Sequence, residues 1–166
     1  MMTEEDYVKE LSRRACECDE VTIETIGVAD EAVAAFTRSP RLWCMRGDLI
    51  QLGCEGIRHT LEDARKSYER ALELESDNIE ALESLAHFFD AVVPDPAAAE
   101  SYFLKAIERG TSKEAFICLA GLYLEHGRAP EAVALLQTGR CPYHLDSEVV
   151  LIRKEAAESI ATTHGS

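Results

Sequence analysis

The residues of this 166-residue chain whose types could do chemistry are its six cysteines, five histidines and many carboxylates. The cysteines are Cys16, Cys18, Cys44, Cys54, Cys118 and Cys141. Cys16 and Cys18 form a C-x-C pair, but helical residues two apart point about 200° apart, so a helix would keep them from sharing a metal. There is no C-x2-C and no histidine pair with ligand spacing. Cys44 and Cys118 read as small apolar fillers within helices. Of His59, His87, His126, His144 and His164, only His87 has notable neighbours, Glu83 and Asp90. A general base needs an oriented partner and a substrate pocket; an exposed histidine on an acidic face needs neither. The chain has no G-x-x-x-x-G-K-[ST], G-x-G-x-x-G or G-x-S-x-G motif. No catalytic residue, no metal and no cofactor is expected.

The net charge is −14, and residues 1–31 carry ten acids against Lys9, Arg13 and Arg14. Phosphate contacts need clustered Lys and Arg, so binding to nucleic acid or to an anionic membrane is not expected. The acidity serves solubility or a basic partner. No run of eighteen apolar residues exists to span a membrane. The start, MMTEEDYVKE, lacks the basic-then-apolar order of a secretory signal, which makes the cytoplasm the expected compartment and disulfides unexpected.

The elements that must position any site are helices. In Ser112–Gly139, Phe116, Leu119, Ala120 and Tyr123 fall three or four apart and share a face. Gly127 stops that helix, Pro130 suits the first turn of the next, and Ala132 and Leu136 share its face. Such a hairpin cannot bury its apolar face alone and needs a copy beside it. Leu82, Leu85, Ala86 and Phe89 repeat the first-helix pattern 34 residues upstream, followed by Ala99, Phe103 and Ala106. A third copy reads Trp43, Gly47 and Ile50, then Ala64, Tyr68 and Ala71.

Over about residues 40–139 the chain resembles the tetratricopeptide repeat (TPR) family, with its 34-residue period and W-x2-L-G-x2-Y, A-x3-F, P pattern. It departs from that pattern at Arg46, which stands where the first repeat should carry Leu. Five extra residues are expected in the turn Gly53–His59. The resemblance implies a right-handed α-α superhelix of about three helical hairpins, with extra N- and C-terminal helices, in a single domain. The expected divisions are N-terminal helices in 1–38, repeats at 39–77, 78–110 and 111–140, and a capping helix at 146–161. Thr3 with Asp6, Ser39-Pro40, Thr60 with Asp63, Asp77 with Glu80, Asp95-Pro96 and Thr111 with Glu114 mark helix starts. Gly27 argues for a break within residues 20–28. The last helix is expected to bury Val149, Val150, Ile152, Ala156 and Ile160, with Arg153, Lys154, Glu155 and Glu158 in water.

Proteins of this family hold an extended or helical peptide on the face beside the packing face of each first helix. That face carries Cys44, Asp48 and Gln51 in the first repeat, and Glu83, His87 and Asp90 in the second. In the third it carries Ile117, Gly121 and Leu124, with Glu114 and Glu125 at the margins. The Lys, Arg and Asn set by which some members grip a terminal carboxylate is missing. The expected function is a protein-interaction adaptor or scaffold holding a basic and apolar segment through Asp48, Gln51, Glu83, His87, Asp90, Leu124 and Glu125. Alternatives are a groove filled by the chain's own N-terminal helix or a second copy, a chaperone-like binder of a secreted or assembly partner, and a cysteine-based metal or redox module. Nothing in the sequence fixes self-association.

Overall fold

Short polar residues followed three positions later by a free backbone N–H start most of the helices. The computed structural model describes residues 2–17, 21–53, 58–110 and 113–163. Among them the fold is all-α, with one isolated bridge between Val21 and Gly53. The helices are α1 (Glu4–Glu17), α2 (Ile23–Ala35), α3 (Pro40–Gln51), α4 (Leu61–Leu74), α5 (Ile79–His87), α6 (Pro96–Glu108), α7 (Lys113–Glu125), α8 (Ala129–Leu135) and α9 (Ser147–Thr163), with a π-helical turn at Phe88–Val92.

At α1 the cap is reciprocal: Thr3 N–H donates to Asp6 at 2.8 Å, and Asp6 N–H donates to the Thr3 hydroxyl at 3.2 Å. Ser39 accepts from Leu42 N–H and Asp95 from Ala98 N–H, each ahead of a proline in the first turn. Thr60 N–H donates to Asp63 at 2.8 Å. Gly110, Gly127 and Gly139 follow helix ends with positive φ, where a side chain would be strained.

Three expectations change. Gly27 does not break a helix; it lies inside α2, because the Thr22 cap and the buried Ile26, Ala29, Ala32 and Val33 outweigh the roughly 1 kcal/mol penalty of a helical glycine. Asn78, not Asp77, caps α5, accepting from Ala81 N–H at 2.9 Å. In α9, Val149 and Ala156 are fully buried but Val150 keeps 38% of its surface, and Arg153 turns inward to donate to the Leu136 carbonyl at 3.3 Å. Most of the turn Gly53–His59, the Thr111 cap, Cys18, Cys54 and His164 lie outside the described residues.

The chain forms two compact units, residues 1–88 and 89–166. In the first, α1 packs on α2, α2 on α3, α3 on α4, and α5 on both α3 and α4. Its core includes Leu11, Leu42, Ile50, Ala64, Tyr68, Leu82 and Leu85. In the second, α6 packs on α7, α7 on α8, and α9 on α7 and α8, around Phe103, Phe116, Leu119, Ala132 and Leu136. Arg128 stacks on the Tyr123 ring at 4.4 Å and grips Glu100 with both terminal nitrogens, tying α6 to the α7–α8 turn.

At the α3–α4 contact a ring of one helix closely approaches the backbone of the other. A Cβ on Gly47 would lie 2.8 Å from Cδ1 and Cζ of Tyr68 and closer still to Cε1. Glycine at 47 lets the ring lie against the α3 backbone. Tyr68 is 1% exposed and its hydroxyl is anchored, so the ring cannot swing aside. Gly47→Ala should therefore cost about 1–3 kcal/mol by overpacking, despite alanine's better helix propensity. Urea denaturation of the two proteins checks this, and an alanine variant as stable as the parent would contradict the close approach.

Candidate functional site

The face of α3 that carries Asp48 and Gln51 is held from behind by α4. The Tyr68 hydroxyl lies 2.9 Å from Asp48 Oδ1, to which it donates, and 3.3 Å from Gln51 Oε1. The Ser84 hydroxyl of α5 donates to the same Asp48 oxygen at 3.3 Å. Three helices thus fix one half-buried carboxylate. Beside it is a cavity of about 350 Å³ walled by Leu11 and Ala15 of α1, Met45 and Leu49 of α3, Leu52 just beyond α3, and Glu80 of α5.

Burial raises the Asp48 carboxyl above its ordinary pKa, outweighing the hydrogen bonds from Tyr68 and Ser84 that pull it down. Glu80 is also raised, by the surrounding protein first and then by the Asp48 carboxylate, even though more than a third of its surface stays accessible. Neither makes an ion pair among the described residues. The contrast with other carboxylates is direct. Glu10 is pulled down to about 2 by Arg13 and Arg14, Glu62 is lowered by Arg65, and Glu100 by Arg128. Asp48 and Glu80 are carboxylates crowded by protein beside an apolar cavity; Asp48 also pushes Glu80 up, and the pull of Arg41 on Glu80 does not offset this.

The structure brings Asp48 and Gln51 together through Tyr68. Glu83 and His87 lie half-buried on α5, one turn apart and in line with Glu80 (i, i+3, i+7). Asp90 lies in the π-helical turn, whose residues each advance less than an α-helical step, so the spacing i, i+4, i+7 no longer measures a common face. Asp90, half-buried Leu124 and exposed Glu125 belong to the second unit. Cys44 is fully buried against Ala71 and Ala81, and burial raises its thiol pKa, which keeps it protonated and unreactive. Cys141 is buried and raised in the same way. No group of three metal-binding side chains occurs among the described residues.

Sequence reasoning missed Tyr68 and Glu80 as parts of this candidate site. Tyr68 was legible as a packing residue, and its hydroxyl is what matters here. It also missed a second cluster. Arg46, only 13% exposed, donates to Asp30 at 2.7 Å and to the Ser67 hydroxyl at 2.6 Å, and its Nη2 lies 3.3 Å from His59 Nδ1. His59 Nε2 lies 2.8 Å from the other Asp30 oxygen. The residue that breaks the repeat pattern thus ties α2, α3, α4 and the segment before α4 together.

No protein-family model matches the chain, and no curated protein matches it. Among solved structures, the chain is similar to one titled "Crystal structure of MamA protein", with a TM-score of 0.64 and 17% identity over 95% of this chain and 88% of that one. MamA is a TPR-like helical repeat protein, and at this identity the likeness shows the fold: a TPR-like, all-α helical repeat. Among the described residues, no helix is long and apolar enough to cross a membrane.

The raised Asp48 has a consequence for stability. Its folded pKa exceeds the unfolded value of 3.8, so the folded chain binds the extra proton and loses stability as pH rises through that interval. Above the folded pKa the penalty is complete; below 3.8 it vanishes. Asn keeps the oxygen that accepts from Tyr68 and Ser84 but carries no charge. Asp48→Asn should raise the melting temperature at pH 7, with the gain closing as pH falls below about 4. A pH-independent difference would remove the desolvated charge from the account. Tyr68→Phe keeps the ring, leaves Asp48 with Ser84 alone, and should cost about 1 kcal/mol.

Proposed function

We propose that this protein is an interaction scaffold whose first unit docks a partner's peptide segment, basic at one position and apolar around it, in the cavity among α1, α3 and α5. The observation that carries this reading is the pair of carboxylates, Asp48 and Glu80, raised in pKa and without an ion pair beside apolar walls. Carboxylates that cost stability where they stand are characteristic of binding sites, because the ligand's charge relieves the penalty. A lysine or arginine suits the place: its stem would cover Met45 and Leu49 while its head meets the acids. On this reading α1 is a wall of the site rather than its occupant. Gln51, Glu83 and His87 extend the face along α3 and α5, while Asp90, Leu124 and Glu125 are candidate partner contacts of the second unit by itself. The repeat divisions at 39–77, 78–110 and 111–140 belong to the same proposal, as does a role in binding rather than catalysis.

A fluorescent peptide alternating Leu with Lys or Arg, titrated with the protein and followed by anisotropy, tests the reading. Asp48→Asn with Glu80→Gln should weaken binding at least tenfold while far-UV circular dichroism is kept. Charge reversal at Glu83 should weaken it further. Lowering the pH toward the raised pKa values should weaken binding to the parent and not to the Asn/Gln variant. Unchanged affinity in the double variant would reject the cavity as the site.

A further inference from the structure

We infer that the second unit carries a separate docking groove, between α8 and α9, for an amphipathic helix whose apolar face is flanked by acidic side chains. Val150, Arg153, Lys154 and Ala157 fall at i, i+3, i+4 and i+7, so they form one stripe along α9. Val133 and Gln137 lie four apart at the facing edge of α8 and the turn after it. The two stripes enclose an open crevice of about 640 Å³. Its α9 stripe spans seven residues, about 10 Å along the helix, which matches two turns of an incoming helix.

The face is unlike the polar outer surface that closes a helical stack. Val150 keeps 38% of its surface at this crevice. Its exposure is not incidental to a poorly packed helix, since Val149 and Ala156 of α9 are fully buried.

Charge decides the occupant. The chain is acidic at −14, yet this apolar stripe is crossed by two adjacent cations. Arg153 is fixed by its hydrogen bond to the Leu136 carbonyl, which holds its guanidinium at the floor of the crevice. Lys154 is exposed at the rim, with Glu158 a loose 3.7 Å away on the solvent side. A surface pair of that kind is worth little and is readily exchanged for an incoming carboxylate. A helix with Leu or Ile at i, i+3, i+4 and i+7 and Glu on the flanks would bury Val133, Val150 and Ala157 and meet both cations.

The test uses two synthetic helical peptides with the same leucine stripe, one flanked by glutamates and one by lysines, titrated into the full chain. The overall charge favours the lysine peptide everywhere else, so only a local site can favour the glutamate peptide. The expected result is saturable binding of the glutamate peptide, weakened at least tenfold by Lys154→Glu and by Val150→Asp, and unchanged by Asp48→Asn with Glu80→Gln. Amide shifts on titration should move in α8 and α9. Lys154→Glu changes an exposed residue, so loss of folding cannot explain its effect, and circular dichroism confirms that. Absence of saturable binding, equal response of both peptides to Lys154→Glu, or shifts confined to the first unit would each overturn the inference.

Discussion

The first unit depends on one missing methyl group. Because residue 47 is glycine, the Tyr68 ring of α4 rests against the α3 backbone, and its hydroxyl reaches Asp48 and Gln51 of the same helix. A larger residue would push the helices apart and withdraw that hydroxyl. The packing contact and the site are therefore one arrangement. Ser84 of α5 completes the hold on Asp48, so the carboxylate is oriented by two neighbouring helices and desolvated by them as well. Orientation and desolvation are what a charge needs to discriminate between ligands; a solvated, mobile carboxylate offers neither.

The helix starts and stops were legible because capping is local. Thr3, Ser39, Thr60 and Asp95 act on backbone groups within three residues, and the glycines after α6 and α7 need only their own φ. What failed to read was anything decided by a partner far along the chain. Gly27 looked like a break, and the buried face of α2 overruled it. The π-helical turn after His87 has no sequence mark, and it shifts the register on which Asp90 had been placed. Asp48 was legible as a position on a face, but its burial comes from Tyr68, 20 residues away, and Ser84, 36 residues away. Glu80 passed as a first-turn acid at a helix N-terminus, which is what its position alone implies.

Arg46 shows the same limit from the other side. As a sequence feature it is a lost leucine, a defect in the repeat. In three dimensions its guanidinium donates to Asp30 and Ser67, meets His59, and has its central carbon 5.9 Å from the centre of the Trp43 ring. A half-buried arginine with several oriented partners can replace an apolar contact, because each donor that leaves water finds an acceptor. The substitution also adds directionality. A leucine would tolerate sliding between α2 and α4, whereas hydrogen bonds to Asp30 and Ser67 fix their relative rotation, and with it the face that α3 turns toward the cavity.

The two proposed docking grooves, of opposite local charge, need not conflict in a strongly acidic chain, since range separates their effects. Screening confines an exposed charge to about 8 Å at physiological ionic strength. Beyond that distance a partner meets the net charge, which speeds the approach of a basic segment and slows an acidic one. Within it, a partner docked as proposed would meet Asp48 and Glu80 in one unit, or Arg153 and Lys154 in the other. Encounter rate and final selectivity are thereby set by different residues. The basic segment gains on both counts, while an acidic helix must rely on the apolar stripe of α9 to hold it once it arrives. Its complex is therefore the one whose lifetime, more than its rate of formation, carries the affinity.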